Sequence, residues 1–242
     1  MPDRRTHRGP HPEDAKLFAP PVWPTLRKAV ADLSWLLSAG YAEKSALKLV
    51  GDRYNLTQRQ RMAVRRCACS DFALTRRRSH EVSRADVARQ ILLLDGYNVL
   101  TTIEAGLAGG VIIAGRDGCY RDLASMHGTF RKVAETIPGI ELVGWALAGL
   151  GVRRCVWYLD RPVSNSGRLK AAILQVASEN QWDWQVELVN NPDAVLATSD
   201  AIAATADSVI LDQCARWFNL ARWVTVSLLP DAWVVGLSEQ WA

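Results

Sequence analysis

The sequence predicts an α/β protein with a central, mainly parallel sheet flanked by helices, preceded by a small all-α unit. Three observations predict it. The run Ile91-Leu92-Leu93-Leu94 is uninterrupted and apolar, as a strand buried on both faces of a parallel sheet must be. From that run onward, strand-like and helix-like segments alternate. Before it, only helical periodicity is present. The expected division is a basic helical N-terminal unit with an extended arm over 1–85, and an α/β domain over 86–242.

The elements follow in order. Residues 1–24 hold six of the ten prolines and read as an extended arm. From Thr25 to Ala39, Leu26, Ala29, Val30, Leu33 and Leu37 recur at helical spacing, with Gly40 as a stop. Ala42 to Gly51 is a shorter helix. Thr57-Gln58-Arg59-Gln60 is a capping box that opens a third helix reaching Cys69. Ser83 starts a fourth, ending near Gln90. Strands are expected at Ile91–Leu94, Val111–Ala114, Arg153–Leu159, Trp184–Val189, Ala194–Ala197 and Trp223–Ser227. Helices are expected at Leu123–Thr136 with Pro138-Gly139 as its stop, at Ile140–Leu150, at Gly167–Glu179 behind a Ser166 cap, and at Ile202–Phe218.

Composition narrows the function classes. With 242 residues, 49% hydrophobic and 22% charged, the chain is long enough for a substantial core and is not a disordered type. No apolar run reaches the roughly 18–20 residues that span a bilayer, and the charged, Pro-rich start lacks the apolar core of a secretory signal. Five cysteines at irregular spacing suggest reduced thiols in a cytoplasm rather than a disulfide framework or zinc site. The charge is uneven. Residues 1–90 carry 18 Lys and Arg against nine Asp and Glu; residues 91–242 carry 11 against 16. A basic part joined to an acidic part suggests polyanion contact by the first and cation binding by the second. Arg59, Arg65, Arg66 and the run Arg76-Arg77-Arg78 are the candidate phosphate contacts.

Three expected strands end in an aspartate: Asp95, Asp160 and Asp200. The carboxyl ends of parallel strands share one edge, where ligands bind. Carboxylates converging there repel and raise each other's pKa unless a cation intervenes. Mg²⁺ or Mn²⁺ suits such a set, and phosphodiester chemistry suits the ion. Asp117 or Asp122 in the segment RDGCYRD is expected to complete the shell. Asn98 would position phosphate or orient Asp95. Arg116 or Arg121 would stabilise developing charge. Glu104, Asp193, Asp207 and Asp212 are further candidates, with Asp200 and Asp207 on one side of a single helix. Each aspartate has a plainer use as a helix cap or turn residue. No P-loop, dinucleotide fingerprint or nucleophile elbow is present. The segment around His7, His11, Glu13 and Asp14 is broken by Pro10 and Pro12, against a helical zinc site. His127 reads as an ordinary helix residue.

The segment ILLLDGYNVL, Ile91 to Leu100, resembles the opening strand of PIN-like nucleases, and LATSD ending at Asp200 is similar to their later acidic motifs. The resemblance implies a PIN-like fold and a metal-dependent ribonuclease. The chain also resembles an uncharacterised prokaryotic family of two-part proteins, through His7–Asp14, Leu49–Tyr54, Arg59–Arg61, DGYNVL and RDGCYRD. That family carries no assigned activity.

The functional expectation is a Mg²⁺- or Mn²⁺-dependent nuclease with RNA ahead of DNA as partner and no membrane. Asp95, Asp160, Asp200 and Asp117 would be its metal ligands, with Asp122 and Asn98 beside them. The alternatives are a non-catalytic nucleic-acid-binding or assembly protein with a degenerate PIN-like domain, and a hydrolase of small phosphate esters.

Overall fold

The computed structural model describes residues 7–124 and 130–238. His127 and part of the expected helix over 123–136 therefore lie outside the described residues.

The N-terminal arm contains a single turn, α1 (Asp14–Leu17), and a 3-10 turn at Pro20–Val22. Four longer helices follow: α2 (Trp23–Ser38), α3 (Glu43–Arg53), α4 (Gln58–Cys67) and α5 (Asp71–His80). The Thr57 capping box is formed as the sequence requires, with Thr57 accepting from the Gln60 N–H. Helix α5, absent from the sequence reading, is opened by Ser70, whose hydroxyl accepts from the Ala73 N–H. Its Arg run lacks the apolar stripe that marks the other helices. A short α6 (Arg84–Val87) leads into the sheet.

The α/β part runs β1 (Ile91–Asp95), α7 (Gly96–Leu107), β2 (Ile112–Ala114), β3 (Tyr120–Asp122), α8 (Thr136–Gly149), β4 (Arg154–Asp160), α9 (Ser166–Glu179), β5 (Trp184–Val189), α10 (Pro192–Thr198), β6 (Ile202–Ala204), α11 (Ser208–Leu211), β7 (Trp217–Phe218), α12 (Leu220–Leu228) and β8 (Val234–Gly236). Five strands make an all-parallel sheet in the order β5-β4-β1-β6-β7. β1 is central. Its Leu92 and Leu94 face a core shared with α7, α8, α9 and α12, and Leu93 faces a second core with α10 and α11. Both faces are covered, which is why the strand is apolar throughout.

Four expected elements differ. Ala194–Ala197 is helical, because Asn191 caps the Ala194 N–H at 3.0 Å and Pro192 sits at the first helical position. Ile202–Phe218 is β6, α11 and β7. The small, fully buried Ala203 and Ala204 fit between β1 and β7, and sheet pairing overrides their helical propensity. Trp223–Ser227 lies in α12, whose buried Leu220, Ala221, Val224 and Thr225 keep a helical period. Residues 130–135 are not helical, and Pro138 and Gly139 lie inside the first turns of α8 rather than stopping a helix. Proline is tolerated there because that N–H has no helical partner.

A second sheet, unexpected from sequence, has the order β3-β2-β8. The N-terminal helices pack on it. Phe18, Leu26, Leu33, Val50 and Val64 share one core with Val111, Ile113, Leu123, Val235 and Leu237.

Candidate acidic site at the carboxyl edge of the sheet

The strand order places a switch point between β1 and β6. From β1 the chain builds outward through β4 and β5, then returns to the other side of β1 for β6 and β7. Connections leave in opposite directions there and open a crevice beyond the strand ends. Asp95 is the last residue of β1, and Thr205 follows β6 at the same level.

Asp95 accepts a 2.8 Å hydrogen bond from the Thr205 hydroxyl, which in turn accepts from the Asp207 N–H at 3.0 Å. The Asn98 side-chain oxygen accepts from the Ala206 N–H at 2.8 Å, tying the first turn of α7 to the same loop. Gly96 makes this approach possible. A Cβ there would lie 2.5 Å from a Leu159 methyl and 3.0 Å from the Tyr158 carbonyl oxygen. The Asp-Gly pair is thus a close crossing of α7 over β4.

Asp160 ends β4. Strand alternation sends Asp160 and Asp95 to the face that carries Leu93 and Tyr158. Ideal strand spacings put their Cα atoms about 8 Å apart. Asp193 lies in the first turn of α10, which packs over β1 and β4, and Asp207 caps α11 through the Val209 N–H at 2.7 Å. Asp95, Asp160 and Asp193 are each raised, in part by a neighbouring carboxylate. Burial pushes Asp95 up to about 7; the Thr205 hydroxyl offsets part of this, and Asp207 and Asp193 add to it. Burial and Asp193 raise Asp160, and burial and Asp207 raise Asp193. No Lys, Arg or His among the described residues forms an ion pair with any of the four. The Tyr97 hydroxyl is buried without a hydrogen-bond partner among the described residues, and burial with the charge of Asp160 pushes it up to about 12.

This donor set is oxygen-only and lacks a countercharge, which suits a hard divalent ion. Among the described residues, no three His, Cys, Asp or Glu side chains converge closely enough to hold one as a closed shell. A hydrated ion held directly by one or two carboxylates fits this spacing, since Mg²⁺ keeps several waters.

The other expected site residues lie elsewhere. Asp200 precedes β6 and is exposed. Its level on the sheet is five residues below Asp95, roughly 16 Å away on strand rise. It belongs to the amino edge, because the segment before it is helix α10 and not a strand. Asp200 and Asp207 therefore lie at opposite ends of β6. Asp117 is a buried hub: Arg77 Nη1 donates at 2.6 Å, and Arg121 Nη1 and Nη2 donate at 2.9 and 2.7 Å. Burial alone would raise its pKa, but the two guanidiniums hold it well below the usual carboxylate range. Asp122 accepts from Thr101, Thr102 and the Ala124 N–H. Glu104 is bound by Arg8 and Thr136, and Asp212 by Arg77.

The expected basic contacts are largely internal. Arg59 pairs with Asp14, Arg65 with Glu43, and Arg116 with Asp71. Arg66 donates to the main chain at Asp122 and Ala124, and Arg76 at Asp212 and Gln213. Arg77 and Arg121 are buried on Asp117. Arg78 is exposed. Arg76 and Arg77 of α5, with Arg59 and Arg66 of α4, tie the helices to the α/β part and do not form a phosphate-tracking stripe.

Asp193 and Asp207 assume the places expected of Asp117 and Asp200. No local motif marks either one. The available signal is Asn191-Pro192, a helix start that would have moved Asp193 to the beginning of a helix just after a strand.

Residues 84–223 match the family model described as Domain of unknown function (DUF5616), and residues 25–80 match Protein of unknown function (DUF434). The chain is 30% identical over 189 residues to the uncharacterized protein MJ0935 of Methanocaldococcus jannaschii, covering 77% of this chain and 89% of that protein. No solved structure matches it. Among the described residues, no helix is long and apolar enough to cross a membrane. The matched α/β segment holds Asp95, Asp160, Asp193 and Asp207, and the chain belongs to the DUF5616 family, with a DUF434 segment in front.

Proposed function

We propose that the chain is a Mg²⁺- or Mn²⁺-dependent phosphodiesterase that cleaves nucleic acid, RNA ahead of DNA, at the carboxyl edge of its parallel sheet. The observation that carries this reading is Asp95. It ends the central strand at the switch point, is pushed up to about 7 among three other aspartates, and forms no ion pair with a cationic side chain among the described residues. Such a carboxylate is costly to keep and is what a metal site needs. The PIN-like resemblance of ILLLDGYNVL supports the same reading.

Asp95, oriented by Thr205, would hold the ion together with Asp207 or Asp160. Bound there, the ion supplies Lewis-acid activation of water and stabilises charge on the phosphate. To hold an ion, Asp95 would have to give up the proton that it carries below about pH 7. Thr205 and Asn98 keep the β6–α11 loop in register with α7, so that Asp207 stays at the edge. Tyr97 remains protonated, with its buried hydroxyl near the charge of Asp160.

One observation favours a smaller substrate. The arginines expected to track a nucleic-acid backbone are engaged within the fold, and no basic stripe of theirs leads to the acidic edge. A small phosphate ester is therefore the second reading.

The test is cleavage of labelled single-stranded RNA, single-stranded DNA and a chromogenic phosphodiester with Mn²⁺, Mg²⁺ or chelator. Asp95→Asn and Asp200→Asn are run in parallel. Metal-dependent strand cleavage lost in Asp95→Asn and kept in Asp200→Asn is expected. Cleavage of the small ester alone selects the second reading. No hydrolysis of any substrate overturns both.

A further inference from the structure

The turn that joins β4 to α9 gathers exposed cations at one side of the acidic edge. The Val163 N–H donates to the Asp160 carbonyl at 3.2 Å, and the Ser166 hydroxyl to the Arg161 carbonyl at 3.4 Å, which brings the start of α9 against the end of β4. The segment before α8 is tied to the same turn. The Phe130 N–H donates to the Ser164 carbonyl at 3.0 Å, and Asn165 Nδ2 to the Phe130 carbonyl at 2.9 Å. Lys132, Arg161 and Arg168 each lie at or within two residues of these bonds, and all three are exposed. Helix α9 packs in the core on the opposite face of the sheet from Leu93, so the turn stands beside the four aspartates and not over them.

The charge of this turn has one sign. Residues 130–134 and 161–178 contain no Asp or Glu, and Glu135 is held by His7 and the Arg8 N–H. None of the three cations forms an ion pair with a carboxylate among the described residues. Arg161 Nη2 donates to the Leu188 carbonyl at 2.8 Å, which fixes the guanidinium at the end of β5 without neutralising it. Arg168 sits in the first turn of α9, which has no acidic residue. A cation there opposes the helix dipole, so helix stability does not account for it. Arg59, Arg65, Arg77 and Arg121, by contrast, are all matched by carboxylates. Exposed, unmatched cations spread around a turn suit successive phosphates of an extended strand, which are contacted by charge and not by base identity.

We infer that Lys132, Arg161 and Arg168 hold the sugar–phosphate backbone of a single nucleic-acid strand beside the acidic edge, an inference that rests on the phosphodiesterase reading above. It makes the substrate a strand and not a small phosphate ester. The phosphates next to the one that is cut lie on this turn, and the three side chains set affinity for the strand without touching the reacting atoms.

The probe is a fluorescein-labelled uridine oligonucleotide, titrated into the full chain in chelator and followed by anisotropy. Lys132→Gln, Arg161→Gln and Arg168→Gln are made singly and together, and thermal melting verifies that the fold is kept. Lys44→Gln, which removes an exposed cation of α3, is the control. Each substitution at the turn is expected to weaken binding about threefold or more and to lower the slope of log affinity against log salt by about 0.7. Arg168→Lys, which keeps the charge, is expected to bind nearly as the parent does. With Mn²⁺ present, the combined variant should raise KM for strand cleavage and leave hydrolysis of a chromogenic phosphodiester unchanged. Weakened binding without any cleavage supports the strand-binding turn and overturns the phosphodiesterase reading. Cleavage whose KM is indifferent to the combined variant overturns the turn alone. Binding that is indifferent to the combined variant, reduced equally by Lys44→Gln or matched by polyglutamate ends the proposal, as does an absence of binding at low salt.

Discussion

Asp95→Asn is expected to make the protein more stable at alkaline pH while removing the proposed activity. The folded carboxyl is pushed from 3.8 to about 7. Below the unfolded value both states are protonated and the group is neutral in effect. Between the two values the folded state holds a proton that the unfolded state has lost. Stability therefore falls as pH rises from about 4 to about 7, and stays lowered above that. A shift of three units corresponds to a ceiling of about 4 kcal/mol. Partial exposure and coupling to Asp193 and Asp207 reduce this, so about 2 kcal/mol is the expected gain for the neutral, near-isosteric Asn at pH 8. For a chain of this length that is a rise of about 4–8 °C in melting temperature. The assay is urea denaturation of both proteins at pH 5 and pH 8 in chelator. The variant should gain at pH 8 and little at pH 5. Adding Mn²⁺ at pH 8 should then stabilise the unsubstituted protein and not the variant. A variant equally stable at both pH values relative to the parent, or less stable at pH 8, would refute the reasoning.

Other outcomes follow from the same geometry. Asp207→Asn and Asp193→Asn should weaken Mn²⁺ binding in calorimetry, whereas Asp200→Asn, on the opposite edge, should leave it unchanged. Metal affinity should rise with pH through about 7, as Asp95 gives up its proton; competition between Mn²⁺ and H⁺ in buffers of different ionisation enthalpy reads this directly. Asp117→Asn should destabilise by about 3–5 kcal/mol in denaturant titrations, because it strands the buried Arg77 and Arg121 guanidiniums. Gly96→Ala should cost about 1–3 kcal/mol, since the new methyl meets Leu159 and the Tyr158 carbonyl, and it should lower Mn²⁺ affinity by displacing α7.

Much of the fold is legible in the sequence because its strongest signals are local. The unbroken Ile91–Leu94 run can be buried on both faces only in a parallel sheet. The Thr57 capping box opens α4 wherever α4 sits. Ambiguity begins where a short apolar stretch suits either state. Ala194–Ala197 and Trp223–Ser227 became helices through their caps and buried periods. Ile202–Ala204 became a strand because it fills the slot beside β1. That one exchange also moved the site. With a helix before it and a strand after it, Asp200 falls at the amino edge, and Asp207 arrives at the carboxyl edge.

The sequence by itself determined the α/β class, the central strand and Asp95 at its end, since each rests on hydrophobic period and strand polarity. The uneven charge was equally plain in it. Which carboxylate meets which partner was decided only by the tertiary structure. Asp117 and Asp95 are both aspartates beside buried strands. One is held ionised between Arg77 and Arg121, and the other lies among Asp193 and Asp207 with no cationic side chain among the described residues paired to it. Charge in a sequence is a sum over residues, whereas the energy of each charge depends on its distance to the others and on the water it keeps. Those distances are set when α4 and α5 dock on the α/β part and α10 crosses the sheet.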